Sequence, residues 1–331
     1  MLNDRHDIAR TSRRRWAPRA LACLATLALS ACASAPRHET AHPLLDAAHK
    51  LFYVHTDRNE RTQGDILASL TLLGGMSQRY AATDSDCHET ECRQAFSDAL
   101  GELGTEYARL GLERLALRYY ELALANAPDS ANNHVNLAIA QLALRRDTVA
   151  LESIRRALDI GKDDPGTQRT AASIFLLLDR PQEAITHADA CARQSPPPRM
   201  AQYCALTAMT AGLRGGTDSQ VAPLIGGDTW PAPLLDYMRG RIDEAVLAGV
   251  IAHASDPAVR REGLSESLYY VGEAQLARGH RELALRYFRA NLEMKVEDSW
   301  GTTGSRRRLI DLGGSDDPPT ESPPVQHVPI G

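Results

Sequence analysis

From residue 97 onward, apolar residues return every three or four positions, with charged residues between them and Gly, Pro or Asp at the joints. That spacing gathers apolar side chains on one face of a helix, and the joints stop it. In the stretch from Ser97 to Ser130, Leu100, Leu103, Gly104 and Tyr107 share the inner face of a first helix. Ala116, Tyr120 and Ala123 share the inner face of a second, which Pro128 cannot continue. The small residues Gly104, Ala116 and Ala123 let two antiparallel helices approach closely, and the two tyrosines fill the seam.

The pattern then recurs. One period on, Leu137, Ala138, Ala150, Ile154 and Ala157 take the equivalent places; after another come Ala171, Ala172, Phe175, Ala184, Ala188 and Cys191, closed by Pro196. A separate copy opens near Ser265 with Leu268, Val271, Gly272, Ala284 and Phe288. Position eight is Gly or Ala in all four copies and position twenty is Ala in all four. Alanine is abundant here, so the joint register carries the inference rather than any one match. The register resembles the tetratricopeptide repeat, a helix–turn–helix unit of about 34 residues. The expected fold is all-α, a tetratricopeptide-type α/α superhelix or solenoid; the plainer alternative is an alanine-rich helical bundle.

Around the repeats, the chain divides into a signal peptide (1–31), a tether (32–44), leading helices with a cysteine loop (45–96), three repeats (97–198), an irregular helical segment (199–264), a C-terminal repeat with a capping helix (265–312) and a disordered tail (313–331). The irregular segment opens on a helix from Ala201 to Leu213, and the cap runs from about Ser305 to Leu312 with Arg306 to Arg308 as a solvated edge. Arg13, Arg14 and Arg15 precede an apolar run from Ala20 to Leu29, a targeting segment too short for a comfortable membrane span. The run ends in Leu29-Ser30-Ala31-Cys32, which resembles the lipobox of bacterial lipoproteins. That resemblance implies cleavage before Cys32, a lipid on its thiol and anchoring by several acyl chains. Ala33 stands where an inner-membrane lipoprotein typically has Asp, implying the outer membrane, periplasmic face. A plain secretory signal with a chance cysteine is the alternative. His38-Glu39-Thr40-Ala41-His42 matches the H-E-x-x-H zinc motif, but it sits between Pro36 and Pro43 on a tether that supplies no rigid second shell.

Leu44 to Val54 and Ile66 to Tyr80 have helical periodicity outside the repeat register. Their roles stay open between a cap for the first repeat and a homodimer arm. Cys87 and Cys92 lie close enough for a loop disulfide in an oxidising compartment; a metal site with His88 is the alternative. Cys191 and Cys204 form a second candidate pair, subject to geometry.

Composition narrows the function. Aromatic residues make up only 5% of the chain, which favours helices over sheets. The segment 1–31 holds six Arg and two Asp, so its removal takes the net charge from −5 to −9. An acidic body argues against nucleic acid as a partner. No phosphate loop or nucleophile–base set is visible, so the expectation is a non-enzymatic protein without a cofactor.

In repeats of this type, positions 2, 5, 9 and 12 face a concave groove. Here they include Asn132, Val135, Ile139 and Leu142 in the second copy, Gly166, Arg169, Ser173 and Leu176 in the third, and Glu266, Tyr269, Glu273 and Leu276 in the last. The candidate partner groove is Val135, Ile139, Leu142, Leu176, Tyr269 and Leu276, a mixed surface suited to an extended or helical segment. Packing against the leading helices is the alternative role. Finally, Trp230 followed by Leu235-Asp236-Tyr237-Met238-Arg239-Gly240-Arg241-Ile242-Asp243-Glu244, and Leu264-Ser265-Glu266-Ser267-Leu268-Tyr269-Tyr270-Val271-Gly272, resemble segments of the NlpI-type lipoproteins. That family implies an outer-membrane adaptor that holds peptidoglycan hydrolases and a periplasmic tail-specific protease together. An assembly factor for a pilus or secretion complex is the nearest alternative, and a zinc hydrolase using His38, Glu39 and His42 a remote one.

Overall fold

The computed structural model describes residues 42–48, positions 70, 71, 74, 75 and 78, and residues 90–313 apart from 110, 195, 196, 216, 228, 295 and 297–299. Between 90 and 313 the chain is all-α. Its helices are α1 (Thr90–Arg109), α2 (Glu113–Asn126), α3 (Ala131–Ala143), α4 (Asp147–Ile160), α5 (Pro165–Leu177), α6 (Pro181–Arg193), α7 (Pro198–Leu213), α8 (Ala232–Met238), α9 (Glu244–Ala252), α10 (Pro257–Ala277), α11 (Arg281–Glu293) and α12 (Trp300–Asp311). Each packs chiefly on its neighbour in the chain, and α1, α3, α5 and α7 also touch in succession.

Local chemistry sets where helices begin. Ser130 accepts a hydrogen bond from the Asn133 amide ahead of α3, and Asp164 accepts one from Thr167 ahead of α5, whose first residue is Pro165. The turn inside each hairpin is also common to all. Gly111, Arg145, Asp179 and Gly279 take positive φ of 71°, 59°, 55° and 83°. The amide after each of them bonds back into the first helix: Leu112 to Tyr107 at 2.9 Å, Arg146 to Gln141 at 2.8 Å, Arg180 to Phe175 at 2.9 Å and His280 to Gln275 at 3.0 Å. A left-handed residue followed by that bond reverses the chain and satisfies carbonyls at the helix end. The second helices start at Glu113, Asp147 and Pro181, so successive starts are one repeat period apart.

Side-chain packing keeps the same register. A Cβ on Gly104 would lie 2.7 Å from the Tyr120 ring, and one on Gly272 would lie 2.6 Å from Phe288. Both are close approaches that only hydrogen permits. Ser97 and Ser265, at the same place in the first and last hairpins, are fully buried. Ser97 donates to the Ala123 carbonyl and accepts from Asn133; Ser265 donates to Asn291, whose amide donates back to the Ser265 carbonyl. Buried hydroxyls are tolerable because they find partners in these pairs.

The segment 199–264 opens on the helix expected over Ala201 to Leu213, which starts at Pro198. Helix α7 packs on α6 and continues the array. A disulfide between Cys191 and Cys204 joins them, with Cα atoms 6.4 Å apart, inside the range that a bridge spans without moving backbone. The loop after α7 is pinned by Asp189, which accepts from the Ser219 hydroxyl and the Gln220 amide. The short helices α8 and α9 follow, and α10 starts at Pro257, ahead of the Ser265 expected from the repeat.

The leading segment 43–48 has Leu44, Leu45 and Ala48 buried in a cluster that runs from α5 to α12. Glu244 holds it there, accepting from the Leu44 amide at 3.2 Å and from the Tyr287 hydroxyl at 2.6 Å. The last helix, expected from Ser305 with Arg306 to Arg308 as a solvated edge, begins at Trp300 and turns Arg307 and Arg308 inward to ion pairs. Of the three arginines only Arg306 is exposed.

Candidate functional site

Helix α12 lies across the faces of the first helices and divides them into two clefts. Three features bring it there. Gly301 and Gly304 meet Tyr269 of α10 so closely that a Cβ at 304 would stand 2.5 Å from the ring. Trp300 packs on the cluster of α3 to α6. Arg307 forms a two-pronged pair with Asp147, at 2.9 and 2.7 Å, far away along the chain. Asp147 opens α4, where a carboxylate also suits the helix end. The Arg307 hydrogen bond holds the Asp147 carboxyl below the usual carboxylate range.

Beneath α12 lies a buried ionic clamp. Glu273 of α10 has 1% of its side chain exposed and receives two arginines. Arg214, just past α7, donates to it at 2.9 and 2.6 Å, and Arg308 of α12 at 2.8 and 3.1 Å. Arg214 also donates to the Leu176 carbonyl and, at 3.1 Å, to the Tyr269 hydroxyl. Burial alone would raise the Glu273 carboxyl; the charges and hydrogen bonds of the arginines outweigh it and hold the group low. Burial pushes the Tyr269 phenol up to about 12, so it stays a neutral hydroxyl. The clamp therefore fastens α7, α10 and α12 around one ionised carboxylate.

The first cleft, of about 290 Å³, opens between α12 and the hairpins of α1 to α3. Its floor includes Ile139, Leu142 and Ile310, and its rim carries Arg109, Arg145, Arg306 and Arg307. The second, also about 290 Å³, is bounded by α5, α7, α10 and the start of α12. There Glu266 accepts from Trp230 Nε1 at 2.6 Å and from the Tyr203 hydroxyl at 2.8 Å. Burial pushes the Glu266 carboxyl above the usual range despite those two donors.

The residues named from the sequence are dispersed over this face. Ile139 and Leu142 line the first cleft. Val135, Leu142 and Leu176 are buried in the cluster of α3 to α6. Tyr269 lies under α12, and Leu276 is half-buried at the edge of the C-terminal core. Cys32 and Cys87 fall outside the described residues, as do His38 and Glu39; Cys92 sits in the first turn of α1 with its side chain outside the description. His42 packs edge-on against Tyr287, with Nδ1 3.3 Å from the phenol oxygen.

Glu266 and Glu273 were legible as inner-face positions, whereas Arg214, Arg307 and Arg308 carried no local signal of their roles. Among the described residues no group of three His, Cys, Asp or Glu is placed to hold a metal ion, and no helix is long and apolar enough to cross a membrane. Comparison with known protein families and with curated proteins finds no match for this chain.

Proposed function

We propose that this protein is a lipid-anchored scaffold of the tetratricopeptide superhelix class. It works on the periplasmic face of the outer membrane, where it brings peptidoglycan hydrolases to a tail-specific protease. The observation that carries this reading is the inner face itself. Helices in the repeat register present a cleft with an apolar floor and an arginine rim, a surface made for a protein segment rather than for bond chemistry. The Cys191–Cys204 bridge suits an oxidising compartment. The Leu29-Ser30-Ala31-Cys32 motif supplies the anchor. Tethering then acts through effective concentration: two partners held on one membrane-bound body meet far more often than free ones.

The test is reconstitution. The purified protein should speed degradation of a peptidoglycan hydrolase by the protease, and Ile139→Asp should abolish that gain while the protease alone works normally. Failure to bind either partner from a periplasmic extract would remove the proposal. Cys32→Ser should release the chain from the membrane fraction.

A further inference from the structure

The second cleft holds chemistry that a scaffold does not need. Its α5 wall supplies Arg169, whose Nε is buried without a hydrogen-bond partner, and Ser173. Its α10 wall supplies Glu262 and Glu266, one helical turn apart. No ion pair among the described residues joins Arg169 to either of them; the cation whose charge acts on both carboxylates is Arg199, in the first turn of α7. Aromatic rings of Tyr203, Tyr270 and Trp300 complete the lining. A buried guanidinium nitrogen left unsatisfied asks for an acceptor from outside the chain.

We propose that this cleft binds a small zwitterion with an apolar side chain, an amino acid or dipeptide. Arg169 takes its carboxylate, the exposed Glu262 takes its ammonium, and the aromatic rings take the side chain. The two charges of the ligand exclude simpler occupants. An anion alone would face the exposed carboxylate of Glu262, and a cation alone would face Arg169 and Arg199. At about 290 Å³ the cavity stands at the lower edge of ligand-pocket sizes, which suits one or two residues and excludes a nucleotide or a long peptide. Specificity would come from polar groups left unpaired when either end of the ligand is capped.

The proposal is tested by equilibrium dialysis of the full chain in detergent against leucyl-alanine. The expected Kd is on the order of 1 mM or tighter, with N-acetyl-leucyl-alanine and leucyl-alanine amide each binding about tenfold more weakly. Arg169→Gln should erase the preference for the free carboxylate, so that dipeptide and amide bind alike. Glu262→Gln should weaken the discrimination against the acetylated form; because Glu262 is exposed, its loss leaves the fold intact. Equal binding of the capped forms would overturn the assignment, as would no binding at concentrations on the order of 10 mM.

Discussion

Gly304 of α12 stands against the ring of Tyr269 on α10, and a Cβ there would come within 2.5 Å of Cε2. The ring is 3% exposed and its hydroxyl is held by Arg214, so it has nowhere to go. This contact decides whether α12 can lie on the inner face at all. Gly304→Ala should therefore cost about 1–3 kcal/mol, the usual range for overpacking a tight contact. Chemical denaturation will measure it, and faster proteolysis after Trp300 would show that α12 is the part displaced.

Glu273 should prove a highly sensitive acid among the described residues. Removing its charge leaves Arg214 and Arg308 buried without their counter-ion, so Glu273→Gln should lose about 3 kcal/mol near neutral pH. Its folded carboxyl is held below the ordinary value. The stabilisation is then complete above the ordinary carboxylate range and fades as pH falls through the lowered value. Melting curves of parent and variant should converge in acid and diverge toward neutral.

Glu266 should behave in the opposite way. Its carboxyl is raised by burial, so the folded state favours the protonated form. Stability contributed by that preference is present below the ordinary carboxylate range and lost as pH rises through the raised value. Glu266→Gln keeps an acceptor for Trp230 and removes the titration. The variant should gain on the parent as pH rises from the acid range to neutral, and a difference flat in pH would contradict the assignment.

The Cys191–Cys204 bridge closes a loop with a sequence separation of 13. A loop of that size stabilises by about 3 kcal/mol, mainly by restricting the unfolded chain. The double variant Cys191→Ala, Cys204→Ala should lose that amount, and reductant should lower the parent to the same level without affecting the variant.

The reversing turns offer a matched pair of substitutions. Gly279 and Arg145 occupy the same left-handed position, with φ of 83° and 59°. Gly279→Ala places a Cβ in a conformation that costs an L residue about 1–2 kcal/mol. Arg145→Gly relieves such a cost and gives up a half-exposed pair with Asp311 at 3.7 Å, an interaction worth little at a surface. The first change should lower the denaturation midpoint and the second should raise it.

Much of the array was legible because its determinants are local. A first helix needs apolar residues every three or four positions, a small residue where a ring crosses it, and a residue able to turn left after it. Gly104 facing Tyr120 and Gly272 facing Phe288 are the sequence pattern seen as packing. The same reasoning misjudged α12. Trp300-Gly301-Thr302-Thr303-Gly304 has poor helix propensity, and the sequence places the start at Ser305 where the helix begins at Trp300. The two glycines there serve contact with Tyr269, a residue no local window includes.

The chain's periodicity alone thus determined that it folds as successive antiparallel helix pairs, since an amphipathic stripe that ends at a tight turn must be buried against a near neighbour. Which distant elements meet was decided by the tertiary structure. Asp147 and Arg307 lie 160 residues apart along the chain, and the Glu273 clamp draws on three separate helical regions. Charge pairs of that kind leave no periodic trace, because a single arginine on a helix looks solvated until another helix arrives to desolvate it. The inner-face residues could be named in advance, but their division into two clefts and a covered seam depended on where α12 came to rest.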